Sequence, residues 1–219
     1  MKEVSLSMPT SFVDKVKGFL MAPTKAFQDS RADTLGEAFR YYFILLVIFS
    51  ILYAIVSAAV GMAAFTALVE QLAASGAIGE ALAGVMQNFS GFVVAVSLFF
   101  VYLLFLLMLF GIFLSGFIYH VFVLLLGGEK GYVTTVKTIM YASTPWLLLG
   151  WIPYVSVIGA LWSLILVILG IKETQEMTLG SALLVILVPL VLFLILVMLG
   201  AVVIAALVSG FAEMMPFMV

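Results

Sequence analysis

The chain has 219 residues, of which 66% are apolar and 9% are charged, and its formal net charge is −2. A soluble domain is about half apolar and about a quarter charged, so this composition indicates an integral membrane protein. The small net charge gives no reason to expect nucleic acid as a partner. With one histidine and no cysteine, disulfides and thiolate nucleophiles are excluded, and neither a metal nor a cofactor is expected.

An N-terminal segment, residues 1–40, precedes the first long apolar run and is expected to lie in the cytoplasm. Within it, the stretch SFVDKVKGFL predicts an amphipathic helix. Its apolar face is formed by Phe12, Val16, Phe19 and Leu20. Such a helix can lie in the membrane interface, or it can pack under the transmembrane bundle. Thr34 and Glu37 have the spacing of a capping box, which predicts the start of the helix that enters the membrane.

Five segments are apolar enough to cross a membrane, which requires about 20 residues of helix. The predicted spans are Tyr41–Ala64, Phe92–Leu126, Thr134–Ile152, Val155–Ile171 and Ala182–Val208. Between the first two, apolar residues at helical spacing predict a second amphipathic helix, on the outer surface. These residues are Ile78, Leu82, Val85, Met86 and Phe89. The fold class is therefore an all-α integral membrane protein: a five-helix transmembrane bundle over residues 41–210, with amphipathic interfacial helices and a short outer tail at residues 211–219.

Basic residues predict the orientation, because Lys and Arg are enriched on the cytoplasmic side of membrane proteins. With five spans and a cytoplasmic N-terminus, all 9 Lys and Arg residues fall on the cytoplasmic side. The segment between the first two spans has no Lys or Arg, only Glu70 and Glu80. We therefore expect a multi-pass protein of the cell membrane, with its N-terminus in the cytoplasm and its C-terminus outside.

Two prolines interrupt the apolar stretch YASTPWLLLGWIP. Pro153 falls between the third and fourth spans and predicts a turn. Pro145 lies inside the third span, where proline removes a backbone donor and leaves the carbonyl of Tyr141 without its helical partner. Since the membrane offers no water to that carbonyl, a neighbouring helix or the hydroxyl of Ser143 or Thr144 must satisfy it. The third span is therefore predicted to be kinked and surrounded by protein.

The few polar groups within the spans indicate one candidate site. His120 lies about 9 Å from the inner end of the second span and Tyr141 about 10 Å into the third, at ~1.5 Å per residue. The hairpin between these spans brings both side chains to a similar depth, with Lys137 one turn nearer the cytoplasm. The functional interpretation is a small polar pocket that opens inward and binds a lipid headgroup or a partner's anchor. The simpler alternative is a lone histidine whose hydrogen bond is satisfied by one hydroxyl or carbonyl.

Enzymatic motifs are missing from the sequence. The aspartates Asp14, Asp29 and Asp33 all precede the first span, which excludes an intramembrane aspartyl protease. There is no HExxH motif, no GxS nucleophile turn and no GxxxxGK[ST] phosphate-binding loop. We therefore expect neither an enzyme nor catalytic residues.

Four stretches follow one another along the chain. They are FLMAPTKAF, YHVFVLLLGGEKGYVTTVK, YASTPWLLLGWIPYVSVIGALWSLILVILGIKE and TLGSALLVILVPL. In their order and spacing, from Phe19 to Pro189, they resemble the Yip (Ypt/Rab-interacting protein) domain family of membrane proteins. The resemblance implies five spans and a cytoplasmic N-terminus, and eukaryotic relatives bind prenylated Rab-type GTPases in vesicle trafficking. Because the chain has FLMAP where an acidic DLYGP-like motif would stand, Rab binding is not carried over, and the chain is interpreted as a compact prokaryotic member.

These observations lead to two functional hypotheses of different classes. The first is a non-enzymatic scaffold or adaptor whose partners are membrane lipids, other membrane proteins or a second copy of the chain. The second is a transporter or channel for an uncharged solute or a lipid, since so few charges lie within the spans. A bound lipid or protein would favour the first hypothesis, and flux in liposomes would favour the second.

Overall fold

The structure is a computed structural model that describes the backbone of residues 11–214 and the side chains of residues 11–210. Its helices are α1 (Phe12–Met21), α2 (Pro23–Asp29), α3 (Leu35–Ala73), α4 (Ala77–Gln87), α5 (Ser90–Leu125), α6 (Tyr132–Ala142), α7 (Thr144–Leu149), α8 (Ser156–Thr174) and α9 (Leu179–Met214). A 3-10 turn, Ser30–Ala32, follows α2. No strand occurs within residues 11–214, so the all-α prediction is confirmed for that part of the chain.

Four of these helices are long and apolar enough to cross a membrane, namely α3, α5, α8 and α9. They correspond to the first, second, fourth and fifth predicted spans. α3 has 39 residues and α5 has 36. At ~1.5 Å per residue each is more than about 50 Å long, so both extend beyond a hydrocarbon core of roughly 30 Å. α3 begins with the predicted capping box, in which Thr34 and Glu37 each accept a hydrogen bond from the other's backbone N–H.

The predicted third span, Thr134–Ile152, is not a continuous helix. α6 ends at Ala142, and α7 begins at Thr144 with Pro145 in its first turn. Pro145 has no N–H to continue the hydrogen-bond ladder, which accounts for the interruption at this position. The described part of the chain therefore has four continuous helices that are long and apolar enough to span, where five spans were predicted. The two short helices cover residues 132–149, roughly 27 Å at ~1.5 Å per residue.

The broken segment lies in the middle of the bundle. α6 contacts α3, α5 and α8, and its residues from Thr135 to Ala142 are buried except for the partly buried Lys137. The surrounding helices contribute large buried side chains to the same cluster. These include Tyr42, Leu45, Leu46, Phe49 and Leu166. Irregular backbone is tolerated at membrane depth only where protein surrounds it, and this position supplies that shielding.

The amphipathic helix α1 packs against one end of the bundle. Phe19 is 1% exposed, and its ring stacks on Tyr141 with 4.7 Å between centroids. Phe27 of α2 meets Phe19 edge-on at 5.0 Å. Of the two alternatives for α1, packing under the bundle is therefore the one observed. α4, the second predicted surface helix, instead leaves its apolar stripe exposed, with Ile78 at 82%.

The last helix, α9, joins the bundle only through its first turns. Its buried residues Ala182, Val185 and Ile186 pack with Val123 of α5 and Ile171 of α8. From residue 190 to residue 209, every side chain of α9 is exposed. The helix runs to Met214, into the predicted outer tail, and residues 215–219 of that tail lie outside the described part of the chain.

Candidate functional site

Hydroxyl groups satisfy the backbone at the break between α6 and α7. Thr144 Oγ1 donates to the carbonyl of Tyr141 at 2.6 Å, and this is the carbonyl that Pro145 leaves without a partner. Because this bond uses the proton of Thr144, the hydroxyl of Tyr41 donates to Thr144 Oγ1, at 2.9 Å. The break is thus satisfied both from within the segment and from α3.

The α7 side of the break is satisfied by α8. The backbone N–H of Trp146 donates to Ser163 Oγ at 2.9 Å. Close approach of the two helices requires Gly159, because a Cβ there would lie 3.0 Å from the carbonyl oxygen of Pro145. Pro153 lies in the turn that joins α7 to α8, next to Tyr154, which is 93% exposed. The two prolines therefore occupy a helix break and a surface turn.

Asp33 connects the N-terminal segment to α6. Its Oδ2 accepts hydrogen bonds from Tyr141 Oη at 2.5 Å and from Lys15 Nζ at 2.7 Å. The ammonium of Lys15 also lies 5.5 Å from the centroid of the Tyr141 ring. Lys137 donates to the backbone carbonyls of Asp33 and Arg31, at 2.5 and 3.2 Å. Two of the predicted site residues, Lys137 and Tyr141, are therefore brought together by a third residue that lies outside the predicted site.

A cavity of about 240 Å³, the polar cavity, opens beside these residues. It is lined by Ser30, Arg31, Lys130, Thr134, Lys137, Thr138, Tyr141, Thr174 and Glu176. Three of the lining side chains are cationic and one is anionic, and all five of the others carry hydroxyl groups. Thr138 Oγ1 and Thr174 Oγ1 lie 2.7 Å apart, and each also approaches a carbonyl of its own helix. The polar cavity is therefore a basic, hydroxyl-lined recess at the end of the bundle where α1 and α2 pack.

Glu176 lies at the mouth of the polar cavity. Its Oε1 is 3.2 Å from Arg31 Nη1, and its Oε2 is 2.7 Å from Lys130 Nζ. Hydrogen bonding from Lys130, together with the charges of Lys130 and Arg31, holds the pKa of the Glu176 carboxyl below its usual value. Glu176 has a positive φ of 56°, in the tight turn between α8 and α9. The Glu176 carboxylate therefore forms ion pairs with Arg31 and Lys130, two cations that are far apart in the sequence.

His120, the third predicted site residue, does not line the polar cavity. Its Nδ1 lies 3.0 Å from Thr135 Oγ1, which also accepts a hydrogen bond from Gln175 Nε2 at 3.0 Å. Gln175 Oε1 in turn accepts from the backbone N–H of Lys130 at 3.0 Å. This network joins α5 and α6 to the end of α8. The contact of His120 with Thr135 is of the kind expected under the simpler alternative, in which one hydroxyl satisfies the hydrogen bond of the histidine.

A second recess, the apolar cleft, lies on the other side of the helix break. Its volume is about 670 Å³, and it is lined largely by aromatic and aliphatic side chains. Those used below are Phe49, Tyr53, Trp146 and Trp151. The buried side chains of Met140, Thr144 and Leu147 lie at the break that separates the cleft from the polar cavity. The two recesses therefore belong to opposite halves of the α6–α7 segment.

The chemistry available at the polar cavity is charge and hydrogen bonding. Among the described residues, no three His, Asp or Glu side chains lie close enough to share a metal ion. In the same part of the chain, every buried side-chain nitrogen or oxygen has a hydrogen-bond partner. Arg31, Lys130 and Glu176 were missed as site residues by sequence reasoning, although their charges at the ends of apolar spans were a visible signal.

Comparison with known proteins assigns the chain to a family. A family model described as the Yip1 domain matches residues 17–201, which include both recesses and every predicted site residue. Neither the curated proteins nor the solved structures contain a match to the chain. The match extends over far more than half of the chain and agrees with the multi-pass architecture expected from its apolar helices. The chain belongs to the Yip1 domain family of membrane proteins.

Proposed function

We propose that the protein is a non-enzymatic membrane adaptor that binds a lipid or another membrane protein at the polar cavity. The observation that carries the proposal is the cavity itself: an open recess with three cationic side chains at one end of an otherwise apolar bundle. Cationic side chains at the edge of a membrane attract anionic headgroups and acidic segments of partner proteins. The hydroxyls of Thr134, Thr138 and Tyr141 supply additional polar contacts inside it.

The adaptor proposal includes a topology with five crossings. α6 contacts α3, α5 and α8, and α7 contacts α3 and α8, so the protein around these two short helices supports a broken fifth crossing. In this topology the polar cavity faces the cytoplasm and the turn at Tyr154 faces outward. The basic residues favour the same orientation.

Photo-crosslinking at the polar cavity tests the adaptor proposal. A photo-reactive residue in place of Thr134, which lines the cavity, should capture a lipid or a membrane protein in native membranes. The matched control is Val133, the adjacent residue, which is 47% exposed and does not line the cavity. The same products in the same yield from both positions would refute a binding role for the cavity.

A transporter or channel for an uncharged solute or a lipid is the second candidate. It is favoured by the two recesses on opposite sides of a broken helix, an arrangement that many transporters use near the membrane midplane. The buried side chains between the recesses, including Met140 and Leu147, argue against an open path. Flux of a solute or lipid across liposomes that contain the purified protein, absent from liposomes without it, would favour transport over the adaptor role.

A further inference from the structure

We propose that the polar cavity binds a phosphate group and that the carboxylate of Glu176 occupies the phosphate position until the ligand arrives. This inference rests on the adaptor function proposed for the cavity and names the chemistry of its ligand. A phosphate carries negative charge on several oxygens, and Arg and Lys side chains are its usual partners in proteins.

The bridging geometry of Glu176 supports the phosphate position. Its two oxygens face two different cations, Arg31 at 3.2 Å and Lys130 at 2.7 Å, as two oxygens of one phosphate would. The three side chains are all substantially exposed, at 41%, 44% and 52% for Arg31, Lys130 and Glu176. Ion pairs this exposed contribute little to stability, so an incoming anion can displace the carboxylate.

The charge balance around the cavity also favours an anion. Glu176 is the only anionic residue lining the cavity in the described part of the chain, against Arg31, Lys130 and Lys137. The neighbouring acidic groups are already paired outside it: Asp33 accepts from Lys15, and Glu173 from Lys172. When Glu176 turns outward, three cations therefore face one recess without a compensating acid.

The cavity, with a volume of about 240 Å³, has room for more than one polar contact to a ligand. The partly buried Lys137 lines it beside the two exposed cations, Arg31 and Lys130. A phosphate that replaces the Glu176 carboxylate can therefore gain a third cation, because the carboxylate pairs only with Arg31 and Lys130.

Binding of short-chain lipids to the detergent-purified full chain tests the proposal by native mass spectrometry. The probes are dioctanoyl phosphatidic acid, which has a phosphate monoester, and dioctanoyl phosphatidylcholine as the zwitterionic comparison. Glu176→Gln should bind phosphatidic acid about two- to five-fold more tightly, because it removes a weak internal competitor. Lys130→Gln should weaken binding about two- to five-fold, while its backbone contact to Gln175 is retained.

The controls match the change in charge. Glu129→Gln alters the residue next to Lys130, and Lys172→Gln alters a cation near the same end of the bundle, but neither residue lines the cavity. Equal phosphatidic acid affinity in Glu176→Gln and Glu129→Gln would overturn the proposal. So would equal weakening by Lys130→Gln and Lys172→Gln, or equal binding of the two lipids by the parent chain.

Inorganic phosphate distinguishes the two sources of the ligand. Competition of inorganic phosphate with phosphatidic acid would support a site that accepts free phosphate, whereas binding of the lipid alone would support a lipid headgroup site. The adaptor function has its own readout, the crosslink from position 134. If that crosslink forms and Glu176→Gln leaves phosphatidic acid binding unchanged, the phosphate inference fails while the adaptor function stands.

Discussion

Gly170 of α8 marks the point where the N-terminal segment meets the bundle, and its substitution tests that packing. A Cβ at this position would lie 2.6 Å from Thr138 Cγ2 and 2.7 Å from Phe27 Cζ. Carbon atoms in ordinary contact are about 3.5–4.0 Å apart, so both neighbours would have to move. Phe27 is completely buried, and Thr138 is held through its hydroxyl by hydrogen bonds to Thr134 and Thr174. Neither neighbour can therefore move freely.

Gly170→Ala should destabilise the protein relative to a glycine with open surroundings. Overpacking a core costs about 1–3 kcal/mol, while replacing glycine by alanine within a helix returns up to about 1 kcal/mol. Gly111→Ala on α5 is the matched control, because no atom lies within 4 Å of a Cβ built there. Both variants gain the higher helix propensity of alanine, so the difference between their free energies of unfolding measures the steric cost at Gly170. We expect this difference to be about 1–3 kcal/mol.

The assay is unfolding of the parent and both variants in the same detergent, followed by helix content. A second variant, Phe27→Ala, tests which neighbour causes the clash. In a protein that carries Phe27→Ala, Gly170→Ala should lower the free energy of unfolding by less, because one of its two close contacts is gone. Equal stability of Gly170→Ala and Gly111→Ala would refute the packing of α2 and α6 against α8 described here.

Three further predictions address the helix break, the topology and His120. Thr144→Val should lower the free energy of unfolding by about 1–3 kcal/mol, because it leaves the Tyr41 hydroxyl and the Tyr141 carbonyl without their partner. Ser50→Ala is the control: its hydroxyl bonds only within its own helix, so the loss should be less than about 0.5 kcal/mol. Similar losses for the two variants in detergent unfolding would contradict this prediction. In a chain without cysteine, Glu129→Cys and Tyr154→Cys should react with an impermeant thiol reagent from opposite sides of the membrane, and reaction from the same side would show that α6–α7 does not cross. His120→Leu should leave phosphatidic acid affinity unchanged in native mass spectrometry, since His120 does not line the polar cavity. A large loss of affinity would show that His120 contributes to binding.

The apolar helices were predictable from the sequence because their signal is local. An uninterrupted apolar run is sufficient to predict α3, α5, α8 and α9, and Thr34 with Glu37 marks the start of α3. The position of the break was also predictable, since Pro145 has the same effect in any helix. The partner of the Trp146 N–H was not predictable, because Ser163 belongs to another helix and has no sequence signature for this role.

The site was less predictable because its contacts join distant parts of the chain. Tyr141 and Asp33 are 108 residues apart, and Arg31 and Glu176 are 145 apart. The sequence predicted a similar membrane depth for His120 and Tyr141, with Lys137 one turn nearer the cytoplasm, but depth does not determine which way a side chain faces around its helix. His120 has a suitable depth and faces Thr135, on a different side of α6 from Tyr141.

The break between α6 and α7 also affects how the chain can enter the membrane. A segment inserts alone when about 20 residues in a row are apolar, whereas α6 carries Lys137 and several threonines and stops after 11 residues. The polar groups of α6 and α7 find their partners on α3, on α8 and in the N-terminal segment. The N-terminal segment and α3 are synthesised before α6, but Ser163 and Thr174 of α8 are synthesised after it. We therefore expect α6, α7 and α8 to insert together as one hairpin, once α8 has left the ribosome.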